Sequence, residues 1–162
     1  MTGYPPSGHA DERTMLRGWL DLYRDIMVYK IEGLDEEQAR FRPAPDAISL
    51  LNLIVHLTGV ERRWFEQIIA GRTVERDRDA EFTDVEASVA EAIAAYREQW
   101  RRSDEVFDAM GSLDNPCPGH AGYSVRWVLH HMLEEISRHA GHADITRQLI
   151  DGSVGYSRLE RD

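Results

Sequence analysis

The chain has 162 residues, of which 42% are hydrophobic and 30% are charged, a composition typical of one globular domain with its own core. Nineteen basic and 29 acidic side chains give a net charge of −10 at pH 7, which argues against a nucleic-acid surface as the main partner. No apolar run approaches the length of a membrane span, and residues 1–11 are polar and rich in Pro and Gly, unlike a secretory signal. We therefore expect a cytoplasmic protein without membrane contact. The single cysteine, Cys117, cannot form an internal disulfide and is predicted to lie in a loop.

Apolar residues recur at steps of three and four along four long segments, the spacing of amphipathic helices that share a core. A short helical turn is expected between the first two, within Leu34–Phe41. The serines Ser49 and Ser124 are predicted N-caps, and Thr83 with Glu86 has the spacing of a capping box. The four predicted helices are Asp11–Glu32, Ser49–Ala70, Thr83–Met110 and Ser124–Asp151.

These segments, with no convincing strand, predict an all-α fold, a four-helix bundle. Residues 11–152 would form the bundle, residues 1–10 a flexible N-terminal segment and residues 153–162 a polar C-terminal tail. Two prolines and three glycines in Gly111–Tyr123 predict a long connection before the last helix.

The core-facing seam of the last helix contains ionisable residues. Glu135 and His139 stand four residues apart, so both side chains can reach a common point. A charge buried on such a seam is unfavourable unless a metal ion satisfies it, or unless these groups pair with each other or with arginines. The predicted seam consists of Val125, Val128, Met132, Glu135, His139, His142, Thr146 and Leu149.

His56 lies beside the apolar stripe of the second helix and can meet Glu135 and His139 inside a bundle. Taken alone, a histidine at such a position is more often a hydrogen-bonded core residue than a ligand. His131 continues the row of Glu135 and His139 toward the helix start, and we interpret it as exposed, with a ligand or supporting role as the alternative. His9, His120 and His130 carry no comparable signal.

Several stretches resemble the DinB superfamily, in particular its mycothiol S-transferase branch, and the likeness runs from about Asp11 to Gly152. The stretches that carry the resemblance include Gly33-Leu34-Asp35-Glu36-Glu37-Gln38, His56-Leu57-Thr58-Gly59-Val60-Glu61-Arg62, Arg126-Trp127-Val128-Leu129, His131-Met132-Leu133-Glu134-Glu135 and Arg138-His139-Ala140-Gly141-His142-Ala143-Asp144.

The resemblance implies a DinB-like bundle with a divalent metal held by His56, Glu135 and His139. Relatives usually carry a histidine where this chain has Glu135, although the mycothiol-dependent maleylpyruvate isomerases of the same superfamily resemble a His, Glu, His set. His142 or His131 is the alternative third ligand. Relatives also often carry a tryptophan just before the serine at position 49, where this chain has Ile48, a departure that alters the expected pocket wall.

Two imidazoles and a carboxylate leave coordination positions open, as in catalytic zinc sites, and the same set also suits iron. We expect zinc, with nickel, manganese or iron as alternatives. The second imidazole nitrogens need acceptors, for which Glu61, Glu134 and Asp144 are candidates.

The leading hypothesis is a metal-dependent thiol transferase. The metal would stabilise the thiolate of a low-molecular-weight thiol, mycothiol by resemblance, for attack on an electrophile. The alternatives are a non-catalytic, stress-related metal-binding protein and a metal-assisted hydrolase, for which Glu134 or His142 is the candidate catalytic base. Because related bundles are often dimers, we expect a homodimer.

Overall fold

The computed structural model describes residues 5–83 and 85–156. Within these residues, four long helical segments pack side by side, which confirms the predicted all-α bundle. The helices are α1 Glu12–Ile31, α2 Glu36–Ala39, α3 Leu50–Glu61, α4 Val89–Ala109 and α5 Val125–Asp151. A π-helical segment, Arg62–Ile69, continues α3, and a 3-10 turn, Ala80–Phe82, precedes α4. Residues 1–4 of the predicted N-terminal segment and 157–162 of the predicted tail lie outside the described residues.

Side-chain caps fix the starts of α1, α3 and α5 where the sequence predicts them. Asp11, Ser49 and Ser124 each accept a hydrogen bond from a backbone N–H of the first helical turn, which satisfies a donor that the helix leaves unpaired. Gly152 ends α5 with φ +76°, a left-handed conformation that glycine adopts without strain. Residues next to the helix ends therefore determine where α1, α3 and α5 begin and where α5 ends.

The predicted start of the third long helix at Thr83 is wrong. Helix α4 begins at Val89, after a capping box formed by Ser88 and Glu91. The carbonyl of Thr83 instead accepts a hydrogen bond of 2.8 Å from the Asn52 amide of α3. This contact ties the segment before α4 to α3 in a non-helical conformation. Ser88 with Glu91 thus takes the role that the sequence predicted for Thr83 with Glu86.

The predicted long connection before α5 contains a small hairpin, so the expectation of no strand is wrong here. Its strands are β1, Pro116–Cys117, and β2, His120–Ser124. The Gly119 N–H donates to the Ile68 carbonyl at 3.0 Å, and a Cβ at Gly119 would lie 1.9 Å from the carbonyl oxygen of Gln67. Because the hairpin docks on the π-helical segment, Cys117 is buried rather than in an open loop.

The core lies between α1, α3, α4 and α5, with α1 packed mainly on α5 and α3 mainly on α4. The predicted seam of α5 is buried at Val125, Val128 and Met132, but Leu149 is 60% exposed. Arg147 donates to the carbonyls of Lys30 and Glu32 at the end of α1. The last turn of α5 thus lies beside the end of α1, and Leu149 is on its exposed side.

A buried ion pair joins α1 to the end of α3. Arg24 and Glu61 are 1% and 0% exposed, and the guanidinium donates to both carboxylate oxygens at 2.8 and 2.7 Å. Burial alone would lower the pKa of Arg24, but the charge and hydrogen bonds of Glu61, with Asp104 and Asp21 nearby, raise that pKa. Glu61, expected as a possible acceptor for a site histidine, is therefore committed to Arg24.

We expect Arg24→Met to destabilise the fold by about 3–5 kcal/mol, because it leaves the buried Glu61 carboxylate without a partner. Glu61→Met should cost less, because Arg24 keeps its ion pairs with Asp21 and Asp104. The double variant Arg24→Met/Glu61→Met removes both charges and should recover most of that loss. Urea unfolding followed by circular dichroism measures all three. As a control, Arg101→Ala breaks exposed pairs with Glu98 and Glu105 and should change stability far less. A double variant as unstable as the sum of the singles would contradict this account.

Candidate functional site

The structure brings together three of the predicted site residues, His56 of α3 with Glu135 and His139 of α5. The Nε2 atoms of both histidines lie 3.3 Å from Oε1 of Glu135. One donor atom from each residue lies within 4.8 Å of the others. His56 is buried, whereas the Glu135 and His139 side chains are 17% and 12% exposed. The cluster thus lies at the edge of the core with one side toward solvent.

The two neighbouring histidines favour the ionised form of Glu135. The contacts with His139 and then with His56 hold the pKa of Glu135 well below its usual range, against the opposing effect of burial. A carboxylate at this position presents a negative charge and two hydrogen-bond acceptor oxygens to a group bound between the two histidines. The arrangement therefore attracts a cation or a proton donor.

Glu81, which the sequence did not suggest, holds the other side of His56. Its Oε2 lies 2.9 Å from His56 Nδ1, and the Arg76 guanidinium donates to both of its oxygens at 2.6 and 2.7 Å. Phe82 packs on the His56 ring with centroids 4.9 Å apart. Because Arg76 balances its charge, the buried Glu81 side chain is placed to accept a hydrogen bond from Nδ1–H of His56.

His56 thus lies between two carboxylates. A neutral imidazole has one N–H donor, so with Nδ1–H directed to Glu81, the Nε2 lone pair faces the Glu135 oxygen. Two acceptors facing each other need a proton or a cation between them. His139 adds a second Nε2 at the same oxygen, and its Nδ1 is buried without a hydrogen-bond partner. The cluster therefore contains more acceptors than the described residues satisfy.

A divalent metal fits this donor set. The 3.3 Å contacts are long for hydrogen bonds. Atoms bound about 2.0–2.1 Å from a tetrahedral ion are about 3.3 Å from one another, which matches the distance of each histidine Nε2 from the Glu135 oxygen. Two imidazole nitrogens and one carboxylate oxygen are also ligands that zinc accepts. The geometry is therefore compatible with the predicted ligands, whose role as a metal site stays a prediction.

The structure leaves Glu134 and His142 outside this cluster. The Glu134 side chain is 50% exposed and forms an ion pair with Arg138. His142 is exposed, and its ring centroid lies 5.8 Å from that of His139. Of the two residues predicted as catalytic bases, only His142 therefore has a described contact with a member of the cluster.

His131 is less exposed than expected, at 26% for its side chain. Its ring packs against Trp64 and Trp127, with centroid distances of 4.5 and 5.3 Å. His120 is exposed as expected and stacks on Tyr123. The ring of His131 is therefore part of an aromatic surface on the flank of α5 and does not join the cluster of three.

The carboxylates suggested as acceptors for the site histidines have other partners. Besides Glu61 on Arg24, Asp144 pairs at 2.5 Å with the fully buried ammonium of Lys30. The sequence did not indicate Glu81, because this residue lies in a charged stretch without periodicity. The available signal was an acidic residue next to the aromatic Phe82. Such a pair is too common to indicate a site.

A pocket of about 240 Å³ lies beside the cluster on the side of His142. We call it the apolar pocket, and its lining residues are Pro43, Ala47, Ile48, Leu53, His142, Ile145 and Thr146. None of the three candidate ligands lines it, and its link to the cluster is His142, whose ring lies 5.8 Å from that of His139. The pocket has space for part of a small molecule.

The fold and the cluster define a class, an all-α bundle with a His-Glu-His group between two of its helices. Residues 15–152 of the chain match the family described as mycothiol-S-transferase. This match covers most of the chain, and the chain belongs to that family. No curated protein matches the sequence. Among the described residues, no helix is long and apolar enough to cross a membrane.

Gly59 of α3 makes room for the Glu81 contact, because a Cβ there would lie 2.2 Å from Oε1 of Glu81 and 2.8 Å from Nε of Arg76. Glycine to alanine inside a helix normally stabilises a protein by about 1 kcal/mol. We expect Gly59→Ala to destabilise the metal-free protein instead, since it displaces Glu81 and leaves buried polar groups unpaired, at about 1–3 kcal/mol.

Gly141 of α5 is the matched control, because a Cβ there meets nothing within 4 Å. Gly141→Ala should show the ordinary stabilisation in urea unfolding. An equal gain from both substitutions would show that Glu81 is free to move away from His56.

Proposed function

We propose that this protein transfers a low-molecular-weight thiol, mycothiol, to an electrophilic small molecule, using a divalent metal held by His56, Glu135 and His139. The observation that carries the proposal is the convergence of two imidazole nitrogens on one carboxylate oxygen at 3.3 Å. A bound zinc ion shifts a coordinated thiol to the thiolate, the form that attacks electrophiles. Membership of the mycothiol-S-transferase family supports mycothiol as the thiol.

The chain's own residues prepare the site. Glu81 accepts a hydrogen bond from Nδ1–H of His56, which directs the Nε2 lone pair toward the cluster. Such hydrogen-bond partners orient metal-binding histidines. Arg76 holds Glu81 in place through two hydrogen bonds. Glu135 contributes a negative charge that offsets part of the charge of a divalent cation. Three protein ligands leave a position open for the thiol, with zinc as the proposed metal and nickel, manganese or iron as alternatives.

In the transfer, the S–H bond of the thiol breaks and an S–C bond to the electrophile forms. We assign His142 as the acceptor of the thiol proton, because its ring lies 5.8 Å from that of His139 and it lines the apolar pocket. Glu134 is the alternative, but its ion pair with Arg138 holds it on the exposed side of α5. The proton then passes to the product or to solvent.

The apolar pocket favours an enzyme over a non-catalytic metal-binding protein, and family membership favours a thiol transferase over a hydrolase. A non-catalytic metal-binding protein needs no space for an organic substrate beside the ligands, whereas this chain has about 240 Å³ there. A hydrolase would use water instead of a thiol at the open position. The expected cytoplasmic location, the homodimer and the division at residues 11 and 152 stay predictions.

The first test combines elemental analysis with a transfer assay. The purified protein should bind about one zinc per chain, as expected for a single three-ligand site, and should consume chlorodinitrobenzene only when mycothiol is present. In that reaction the S–C bond replaces the C–Cl bond, chloride leaves, and the thiol proton goes to solvent. His56→Ala should lose the metal and the transfer together while its helical circular dichroism spectrum is unchanged.

His130→Ala serves as the control, because His130 is exposed on the same helix outside the cluster, and it should retain both properties. Turnover without any added thiol would favour the hydrolase. Unchanged zinc affinity in His56→Ala would overturn the ligand assignment.

Glu81→Gln tests the supporting carboxylate. We expect zinc affinity to fall by about 10–100-fold, the usual effect of removing such a partner, although the glutamine is similar in size. Nitrogen NMR of the histidine rings should show that His56 loses its preference for the Nδ1-protonated form. Glu75→Gln, an exposed change in the same loop, is the control. Equal zinc affinity and equal ring spectra in both variants would remove Glu81 from the site.

A further inference from the structure

The apolar pocket is formed by three parts of the chain that are distant in sequence. Ala47 and Ile48 come from the segment before α3, Leu53 from the first turns of α3, and Ile145 and Thr146 from α5. Its volume is about 240 Å³. The pocket therefore forms only when the chain is folded, because no single helix or segment supplies its walls.

Two residues connect the pocket to the metal-binding cluster. His142 lines the pocket, and its ring lies 5.8 Å from that of His139. Leu53 also lines it and precedes His56 by three residues, which places both on one face of α3. The pocket thus begins about one helical turn from the candidate ligands, within reach of a substrate held at the cluster.

The lining indicates the chemistry of the occupant. The His142 ring and the Thr146 hydroxyl are its polar side chains, and none of the seven lining residues is a carboxylate, a lysine or an arginine. A ligand pocket with apolar walls and few polar groups selects hydrocarbon and uses those groups for orientation. A cavity of about 150 Å³ in another protein holds benzene, so this pocket has room for a substituted benzene ring.

We propose that the apolar pocket binds the hydrocarbon part of the electrophile, and that the protein acts on electrophiles with an aromatic ring or a branched chain of similar size. The inference rests on the proposed thiol transfer and adds the substrate class. The reacting carbon lies toward His139, and the hydrocarbon group extends away from the cluster between Ile48 and Ile145. His142 and Thr146 hydrogen-bond polar atoms that flank the reacting carbon.

A second copy of the chain is the competing occupant, since Ile145 and Leu149 are 62% and 60% exposed on the same helix. The concave shape and the connection to His139 favour a small molecule. A small-molecule probe separates the two occupants, because a protein partner and the probe would compete for the same residues.

The binding test uses N-benzylsuccinimide, an unreactive imide, with the full-length protein and no thiol. We expect its addition to shift the NMR methyl signals of Ile48, Ile145 and Leu53. Ile48→Trp fills the pocket and should weaken binding at least tenfold. Ile145→Trp is a second filling variant at a largely exposed position, in case the first does not fold. Leu149→Trp adds the same side chain outside the lining and should bind like the wild type.

The transfer test compares N-methylmaleimide with N-benzylmaleimide in the presence of mycothiol. In each addition the S–H bond breaks, the S–C bond forms at one alkene carbon, and the proton goes to the neighbouring carbon without a leaving group. We expect kcat/KM, corrected for the uncatalysed reaction, to be at least tenfold higher for the benzyl compound, and this preference to disappear in Ile48→Trp.

The two tests fail independently. Absence of probe binding, equal binding in the filling variants, or dissociation of a dimer by the probe in sedimentation would overturn the pocket assignment. Probe binding without any thiol addition would support the pocket as a ligand site and overturn the proposed transferase. Binding and transfer with no preference for the benzyl group would overturn the substrate class.

Discussion

The position of His56 between two carboxylates is the constraint on which the candidate site depends. Glu81 accepts a hydrogen bond from His56 Nδ1 at 2.9 Å, and Glu135 faces Nε2 at 3.3 Å. Since a neutral imidazole donates only one hydrogen bond, the second carboxylate faces a lone pair unless a cation or proton lies between them. The loop before α4, helix α3 and helix α5 must all be in place for this arrangement. The site is therefore a property of the assembled bundle.

Other buried charges of the bundle are matched internally. Arg24 has Glu61 with its two hydrogen bonds, and Lys30 has Asp144 and the Gly155 carbonyl, each at 2.5 Å. A buried charge without a partner is strongly unfavourable, and these pairs meet that requirement with protein groups alone. The cluster around Glu135 differs because nitrogen atoms of two histidines converge on one carboxylate oxygen. This contrast is a physical reason to assign function to the cluster and a structural role to the ion pairs.

Membership of the mycothiol-S-transferase family and the geometry of the cluster support the same proposal by independent routes. The family indicates a thiol, whereas the donor atoms indicate a cation that favours a thiolate. The apolar pocket adds the second substrate, with Ile48 at the position where the resemblance led us to expect a different pocket wall. Substrate choice would then be set by the segment before α3, which can vary without disturbing the ligands on α3 and α5.

The sequence by itself determined the helical bundle and the pairing of Glu135 with His139, because both signals are local, whereas His56 joined them only through the predicted bundle and the family resemblance. Apolar periodicity fixes which face of a helix is buried, and Glu135 with His139 share a face through their spacing alone. Only the tertiary structure decided that Glu81, rather than Glu61 or Asp144, supports His56, and that α4 begins after Ser88. It also decided where the apolar pocket forms. These features depend on contacts between segments far apart in the chain, and no periodic pattern records which loop carboxylate meets which helix.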